Sequence, residues 1–417
     1  MSYSLAIDHP RSLSLPLQRL ILSFVWLTFF LNGFVIREPA PCDVFMMGFV
    51  VLIPLLGLMR FTILHGLFFI GWMIVVATGL LAAGLHEFTM VSVRHMVITA
   101  YLAVFAVVLA AFVTQNPAKH LALIWNGYMC GAVVAAFAAI IGYFDLIPGS
   151  FELFTKYSRA RGTFKDPNVF GPFLVPAFLY CLHHFLSHSL RKGFIPLLFM
   201  GLFLFGILMC FSRGAWMLLA IASAFYIVIF FVTAQSNRQR MRTIFLCGLS
   251  LVALIGVVLI ALQSPKVKEL WEVRVSLSQS YDVGDGGRFT GHKKAVNLIV
   301  EKPMGIGALY FGYFYHHELP HNLYLSMYLS SGWIGGTVFL LLMLTTLFLG
   351  LSIVLRRSPW MHYHAIATAT FVGLAVESYI IDSDHWRQLY IIMALIWGAY
   401  AAAQIEDKNS LPTERSA

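Results

Sequence analysis

Long apolar runs alternate with short polar breaks along the chain, and most runs have the length of a membrane-crossing helix. Stretches of about 20 mostly apolar residues, the length that spans a bilayer, fall at 18–36, 43–59, 62–84, 95–113, 121–143, 168–186, 194–211, 214–234, 243–262, 322–355, 363–381 and 386–403. The run at 322–355 is overlong and carries a glycine-rich break. Two polar breaks, 144–167 and 263–320, exceed a turn. In the second, SPKVKELWEVRVSLSQS sets Val267, Leu270, Trp271 and Val275 at helical spacing opposite Lys268, Glu269 and Glu272. GRFTGHKKAVNLIVEKP repeats the pattern with Phe289, Val296, Ile299 and Val300. Both read as amphipathic helices on the membrane interface, jointed by the glycine-rich DVGDGG and PMGIGALYFGYF. The expected architecture is an all-α polytopic membrane protein of about 12 transmembrane helices. Residues 1–262 hold the first nine with the loop 144–167, 263–320 form a long loop, 321–403 hold the last three, and 404–417 are a tail.

Composition agrees, since 59% of residues are hydrophobic and 11% charged, with a mean hydropathy of +0.79. No soluble core absorbs that much apolar surface. With a cytoplasmic N-terminus, the inner segments hold Arg11, Arg19, Arg60, Lys119, Arg191, Lys192, Arg238, Arg240, Arg242, Arg356, Arg357, Lys408 and Arg415. The short outer turns hold only Arg37, Arg94, Arg213 and Arg387. That bias puts both termini inside and both long loops outside. The net charge of +9 lies wholly on the inner side, so it is a topology signature and no sign of a nucleic-acid partner. Cys130, Cys181, Cys210 and Cys247 fall within helices and Cys42 near a helix end, which is no disulfide framework. The first run lacks a small-residue cleavage site and reads as a retained helix.

Transporters keep ionisable groups near the midplane, which here is nearly empty; His65 is the main exception and reads as satisfied by a neighbour. Polar residues gather instead at the outer ends: Arg159, Arg161, Lys165 and Asp166; Ser212 and Arg213; Arg288 and His292; His316, His317 and His321; Glu377, Asp382, Asp384, His385 and Arg387. No phosphate-binding GxxxxGK[ST] loop occurs, so nothing points to ATP hydrolysis. Chemistry at the outer surface then needs an activated substrate already in the membrane. A lipid or sugar permease is the alternative from another class, and no internal repeat favours it.

GTFKDPNVFGPFLV (162–175), CFSRGAW (210–216), GGRFTGHKKAVNLIVEKPMGIG (286–307) and HNLYLSMYLSSGWIGG (321–336) together resemble the O-antigen ligase and O-antigen polymerase superfamily in order and spacing. The resemblance implies a GT-C-like glycosyltransferase at the periplasmic face of the bacterial inner membrane. It would move a glycan from undecaprenyl pyrophosphate to an acceptor hydroxyl, without metal or cofactor. In the ligase branch the acceptor is lipid A-core, and in the polymerase branch another lipid-linked repeat unit; the ligase is the first expectation.

His321 follows Pro320 and opens a helix, whose partial positive charge disfavours imidazolium. A neutral imidazole there suits a general base, with His316 and His317 as rivals. Arg213, fixed by a nearly loopless hairpin, and Arg161 and Arg288 are expected ligands of pyrophosphate or sugar, since guanidinium meets phosphate oxygens in a fork. DSDH (382–385) echoes the paired aspartates that hold metals in other glycosyltransferases. Asp and Ser equally cap helices such as one starting near Trp386, and no metal is assigned. Asp382, Asp384 and Glu377 are expected on the acceptor side.

Overall fold

Every apolar run is covered by a helix. The computed structural model describes residues 14–86, 89–265, 268, 271 and 287–410. In chain order these hold α1 (Leu15–Leu31), α2 (Pro41–Leu55), α3 (Ile63–Gly84), α4 (Thr89–Gln115), α5 (Pro117–Tyr143) and the short α6 (Ser150–Phe154). Then come α7 (Pro167–Ser187), α8 (Leu190–Met209), α9 (Arg213–Thr233) and α10 (Asn237–Ala261). The last five are α11 (Arg288–Glu301), α12 (Tyr310–Phe314), α13 (Leu323–Ile353), α14 (Met361–Glu377) and α15 (Arg387–Ser410). Eight of them, α3, α4, α5, α7, α8, α9, α13 and α15, are long and apolar enough to cross a membrane, while α1 and α2 are shorter apolar helices. Among the described residues the only sheet is a hairpin of β1 (Thr155–Lys156) and β2 (Arg159–Ala160). The chain is a polytopic, all-helical membrane protein.

Helix ends follow local chemistry. Pro41 sits in the first turn of α2, where its missing N–H costs nothing, and the Asp43 carboxylate accepts the Ala40 N–H at 2.7 Å. His65 is satisfied, as expected: its Nδ1 accepts the Thr62 N–H at 2.9 Å and Thr114 Oγ1 lies 3.1 Å from Nε2.

The C-terminal helices fold back along the N-terminal ones, α13 on α3, α15 on α4, and α14 on α9. Small residues permit the approach, as is usual where lipid removes the hydrophobic drive between helices. A Cβ on Gly398 of α15 would lie 2.5 Å from the Ala110 carbonyl oxygen of α4. This pairing lays the loop before α15 beside the first turns of α4.

The glycine-rich break falls at Gly332, whose φ of 67° and ψ of −170° interrupt α13. The segment 303–306 fills the gap: Trp333 N–H donates to the Pro303 carbonyl at 2.9 Å, and Ile306 N–H to the Leu329 carbonyl at 2.7 Å. Backbone groups freed by a broken membrane helix must find such partners. Only glycine fits, since a Cβ at 332 would stand 2.5 Å from the Pro303 oxygen.

Of the two amphipathic helices expected in 263–320, the first lies outside the described residues apart from Ser264, Pro265, Lys268 and Trp271, and the Trp271 ring stacks on Trp216 at 5.4 Å. The second is α11. It packs through Ala295 and Leu298 against Ile306, Phe311 and Leu329, whereas Phe289, Val296 and Val300 are exposed. The apolar face read from spacing is therefore mostly the outward one, because the small Ala295 lets the other face approach the bundle.

Candidate active site

Two adjoining cavities open at one end of the bundle, of about 200 Å³ and about 30 Å³. His95, Leu309, Leu319, Asp382 and Asp384 line both. Three elements supply this shared lining: the second turn of α4, the loop 303–320 and the loop between α14 and α15. Ser92 Oγ–H donates to the Ala308 carbonyl at 2.6 Å and ties the loop to α4.

Asp382 organises the start of α13. It accepts the His321 N–H at 2.9 Å, the Asn322 N–H at 3.2 Å and the Ser326 hydroxyl at 2.6 Å. A carboxylate at a helix N-terminus is favoured by the helix dipole. Asp382 thus serves α13 and not the helix after Trp386, as local spacing had suggested. The cap itself is Asn322, whose side chain accepts the Leu325 N–H at 3.1 Å. His321 stands outside the helix, one residue before that cap, with φ at 50°. Its Nε2 lies 3.3 Å from Glu318 Oε2 and its Nδ1 3.9 Å from Asp382 Oδ2. The side chain is 34% exposed and lines neither cavity.

Asp384 Oδ2 lies 2.6 Å from His95 Nε2. The His95 ring stacks on His385, with centroids 3.8 Å apart and planes 25° from parallel, and His385 Nε2 is 3.2 Å from Thr99 Oγ1. Burial opposes the charge of Asp384, but the imidazoles of His385 and His95 outweigh it and hold this carboxyl below the usual range. Burial and the neighbouring Asp384 push Asp382 the other way, above its ordinary value, against the Ser326 hydrogen bond and His321. Burial pulls the His385 imidazole down to about 4 despite Asp384.

His95, Asp384 and His385 also present donor atoms within 4.8 Å of one another, a set a metal could use. Their arrangement fits an ion poorly. Nearly parallel stacked rings aim their lone pairs side by side, whereas ligation needs both nitrogens to converge at about 2.0–2.1 Å from one centre.

A chain of alternating charges borders the larger cavity. Lys165 Nζ donates to Glu38 at 2.8 Å, Arg387 reaches Glu38 at 3.5 Å, and Arg387 grips both oxygens of Asp43 at 2.7 Å. Burial would raise the Glu38 carboxyl, yet Lys165 and then Arg387 lower it overall.

The structure distributes the residues expected from sequence. Asp382 and Asp384 come together at the cavities. Arg161 donates to the Leu153 carbonyl at 3.0 Å, Arg213 heads α9 behind its cap Ser212, and neither lines either of these two cavities. Arg288 opens α11, with its side chain outside the described residues. Glu377 is buried at the end of α14 against Gly214 and lines neither cavity, and its carboxylate has no hydrogen bond among the described residues. His316 is buried against Gly291, and His317 is exposed and stacks on it at 4.4 Å. Sequence reasoning missed His95 and Glu38. Their only signal was position, each at the cavity end of an apolar run.

Fold and site define a helical membrane protein with a polar cavity at one end of an apolar bundle. Residues 198–340 match the family model described as O-antigen ligase, and the match supports membership of the O-antigen ligase superfamily. Members of that family are glycosyl-transferring enzymes, ligases or polymerases. No curated protein matches the chain. The matched stretch holds Arg213, Arg288 and His321, while His95, Asp382 and Asp384 reach the site from outside it.

Proposed function

We propose that the chain transfers a glycan from undecaprenyl pyrophosphate to an acceptor hydroxyl at the periplasmic face of the bacterial inner membrane, with lipid A-core as the acceptor. The observation that carries this, beside the family match, is the acidic, hydrogen-bonding cavity in an otherwise apolar bundle. Glu38, Asp382 and Asp384 offer acceptors for sugar hydroxyls, and Tyr128, Phe164 and Trp386 offer ring faces. Lys165 and Arg387, the cations on its wall, are already paired with carboxylates. Such a cavity suits a neutral sugar better than a pyrophosphate, so it is the acceptor subsite. The pyrophosphate falls to Arg161, Arg213 and Arg288 outside it, whose guanidinium groups meet developing phosphate charge.

In the transfer, the acceptor oxygen attacks the anomeric carbon and the bond from that carbon to the pyrophosphate oxygen breaks. An imidazole takes the hydroxyl proton. His321 and His95 are the imidazoles at this end with an aspartate behind them.

The test is complementation of a strain lacking the gene, with wild type or Arg213→Ala at matched membrane levels. Surface polysaccharide is resolved on gels beside the undecaprenyl-linked pool. Wild type should restore long core-linked chains, and Arg213→Ala should lose all of them while lipid-linked glycan accumulates. Single-repeat chains still attached to core would make the enzyme a polymerase. Unchanged polysaccharide in the strain lacking the gene would remove the transferase reading.

A further inference from the structure

We propose that the outward apolar stripe of α11 is a membrane-docking surface, seated among lipid acyl chains of the leaflet at the cavity end, where it holds Arg288 at headgroup depth. The role of Arg288 rests on the proposed function, and the docking does not. A surface helix of a soluble protein buries one apolar stripe and turns a polar face to water. α11 has a second apolar stripe. Ala295 and Leu298 pack on the bundle, while Phe289, Val296 and Val300, on the other side of the helix at 3.6 residues per turn, are 62%, 47% and 66% exposed. Met304 extends that stripe past the helix end.

Depth is the second argument. Exposed apolar side chains on α13 begin at Trp333 and Ile334 and continue through Leu341, Leu344 and Phe348, whereas none is exposed from 323 to 332. The helix from Trp333 to its end at Ile353 measures about 30 Å at 1.5 Å per residue, the thickness of a hydrocarbon core. Arg356 and Arg357 follow at the far side. Trp333 therefore marks the lipid boundary, a depth at which tryptophan is enriched. α11 is fastened at that level, since Trp333 Nε1–H donates to the Ile299 carbonyl at 2.6 Å. Its outward stripe meets the same lipid as Trp333 and Ile334.

The charges agree with a lipid partner. Exposed Lys293 lies within the stripe, and Lys294, Asn297 and Glu301 form its polar flank. A lysine stem lies along acyl chains while its ammonium reaches the headgroup phosphates. The preceding amphipathic segment is the rival cover, but its one aromatic residue, Trp271, is spent on Trp216 of α9. Arg288 opens α11 one residue before Phe289. Docking thus brings it to the level of lipid headgroups, where the pyrophosphate of a lipid-linked donor lies.

The experiment uses the full chain in nanodiscs of phosphatidylethanolamine and phosphatidylglycerol, with the half-buried Cys130 and Cys247 replaced by alanine. A nitroxide is attached at Val296→Cys, Val300→Cys or Asn297→Cys, and its collisions with oxygen and with a water-soluble nickel chelate are measured. Labels at 296 and 300 should meet oxygen several-fold more often than the chelate, and the label at 297 should show the reverse. Chelate reaching 296 and 300 as readily as 297 would mean a wet face and overturn the docking. Shielding of both labels from both reagents would mean a protein cover, from this chain or a second copy, and overturn it equally. Transfer is then assayed with undecaprenyl-pyrophosphate-linked glycan, where Val300→Asp should raise the donor KM several-fold at an unchanged thermal midpoint. Lipid-exposed labels with an unchanged donor KM would keep the docking and remove the role of Arg288. A wild type without transfer would remove the proposed function, while the labels still decide the docking.

Discussion

At opposite ends of the molecule an arginine meets two carboxylates, in very different surroundings. Arg387 holds Asp43 through two bonds of 2.7 Å, with the side chains 13% and 10% exposed. Arg356 meets Asp407 at 2.7 Å and Glu406 at 3.3 Å, but those carboxylates are 56% and 43% exposed. The distances are alike and the consequences are not. Water screens the second cluster, while the first joins the start of α15 to the first turn of α2 beside the larger cavity. The same residues make a structural clamp where they are dry and a solvated face where they are wet.

The largest effect should come from Asp43→Ala, which leaves the Arg387 guanidinium buried without its fork. Breaking a buried pair from one side costs about 3–5 kcal/mol, read as a lower thermal midpoint in detergent and loss of transfer. A shift no greater than that of an Asp407 variant would break the comparison.

Next is the share of the pH dependence that comes from the cavity end. Burial lowers the His385 imidazole from the ordinary 6.5 to about 4. As pH falls through that window the unfolded chain takes up the proton first, so stability complete above about pH 6.5 is lost towards pH 4, by about 3 kcal/mol at most. His385→Gln should make the dependence of the unfolding midpoint on pH shallower than in wild type, and Asp407→Asn should leave it as it is. Parallel curves for wild type and His385→Gln would remove this account.

Gly332→Ala, forced into a left-handed conformation against the Pro303 oxygen, should cost about 1–3 kcal/mol. Gly248→Ala, with open space around it on α10, should be stabilising by about 0.5–1 kcal/mol. Smallest is Asp407→Ala, at about 0–1 kcal/mol for an exposed pair. Equal effects at the two glycines would show that the break in α13 carries no special constraint.

These differences also explain what the sequence could and could not disclose. Helix positions were legible because run length and apolarity act locally, and each expected run is a helix. The aspartates of DSDH stood out as charges at a helix end. His95 did not, since it sits in an apolar run beside Arg94, and its partner Asp384 lies 289 residues away. Only the packing of α15 along α4 brings them together. Arg161 shows the reverse, a residue in a telling motif whose guanidinium goes to the Leu153 carbonyl beside it. At His321 the local signal slipped by one residue, because the following asparagine is the better cap.

The interlock at Gly332 sets a rule for how the chain can change in length. Ile306 and Trp333 fix which loop residue meets which residue of α13, and Leu309, three positions further on, is a wall of both cavities. A single inserted residue between Ile306 and Leu309 would turn that wall away while leaving the anchor intact. Insertions, deletions and chimeric junctions should therefore be tolerated only outside the stretch from 303 to 333.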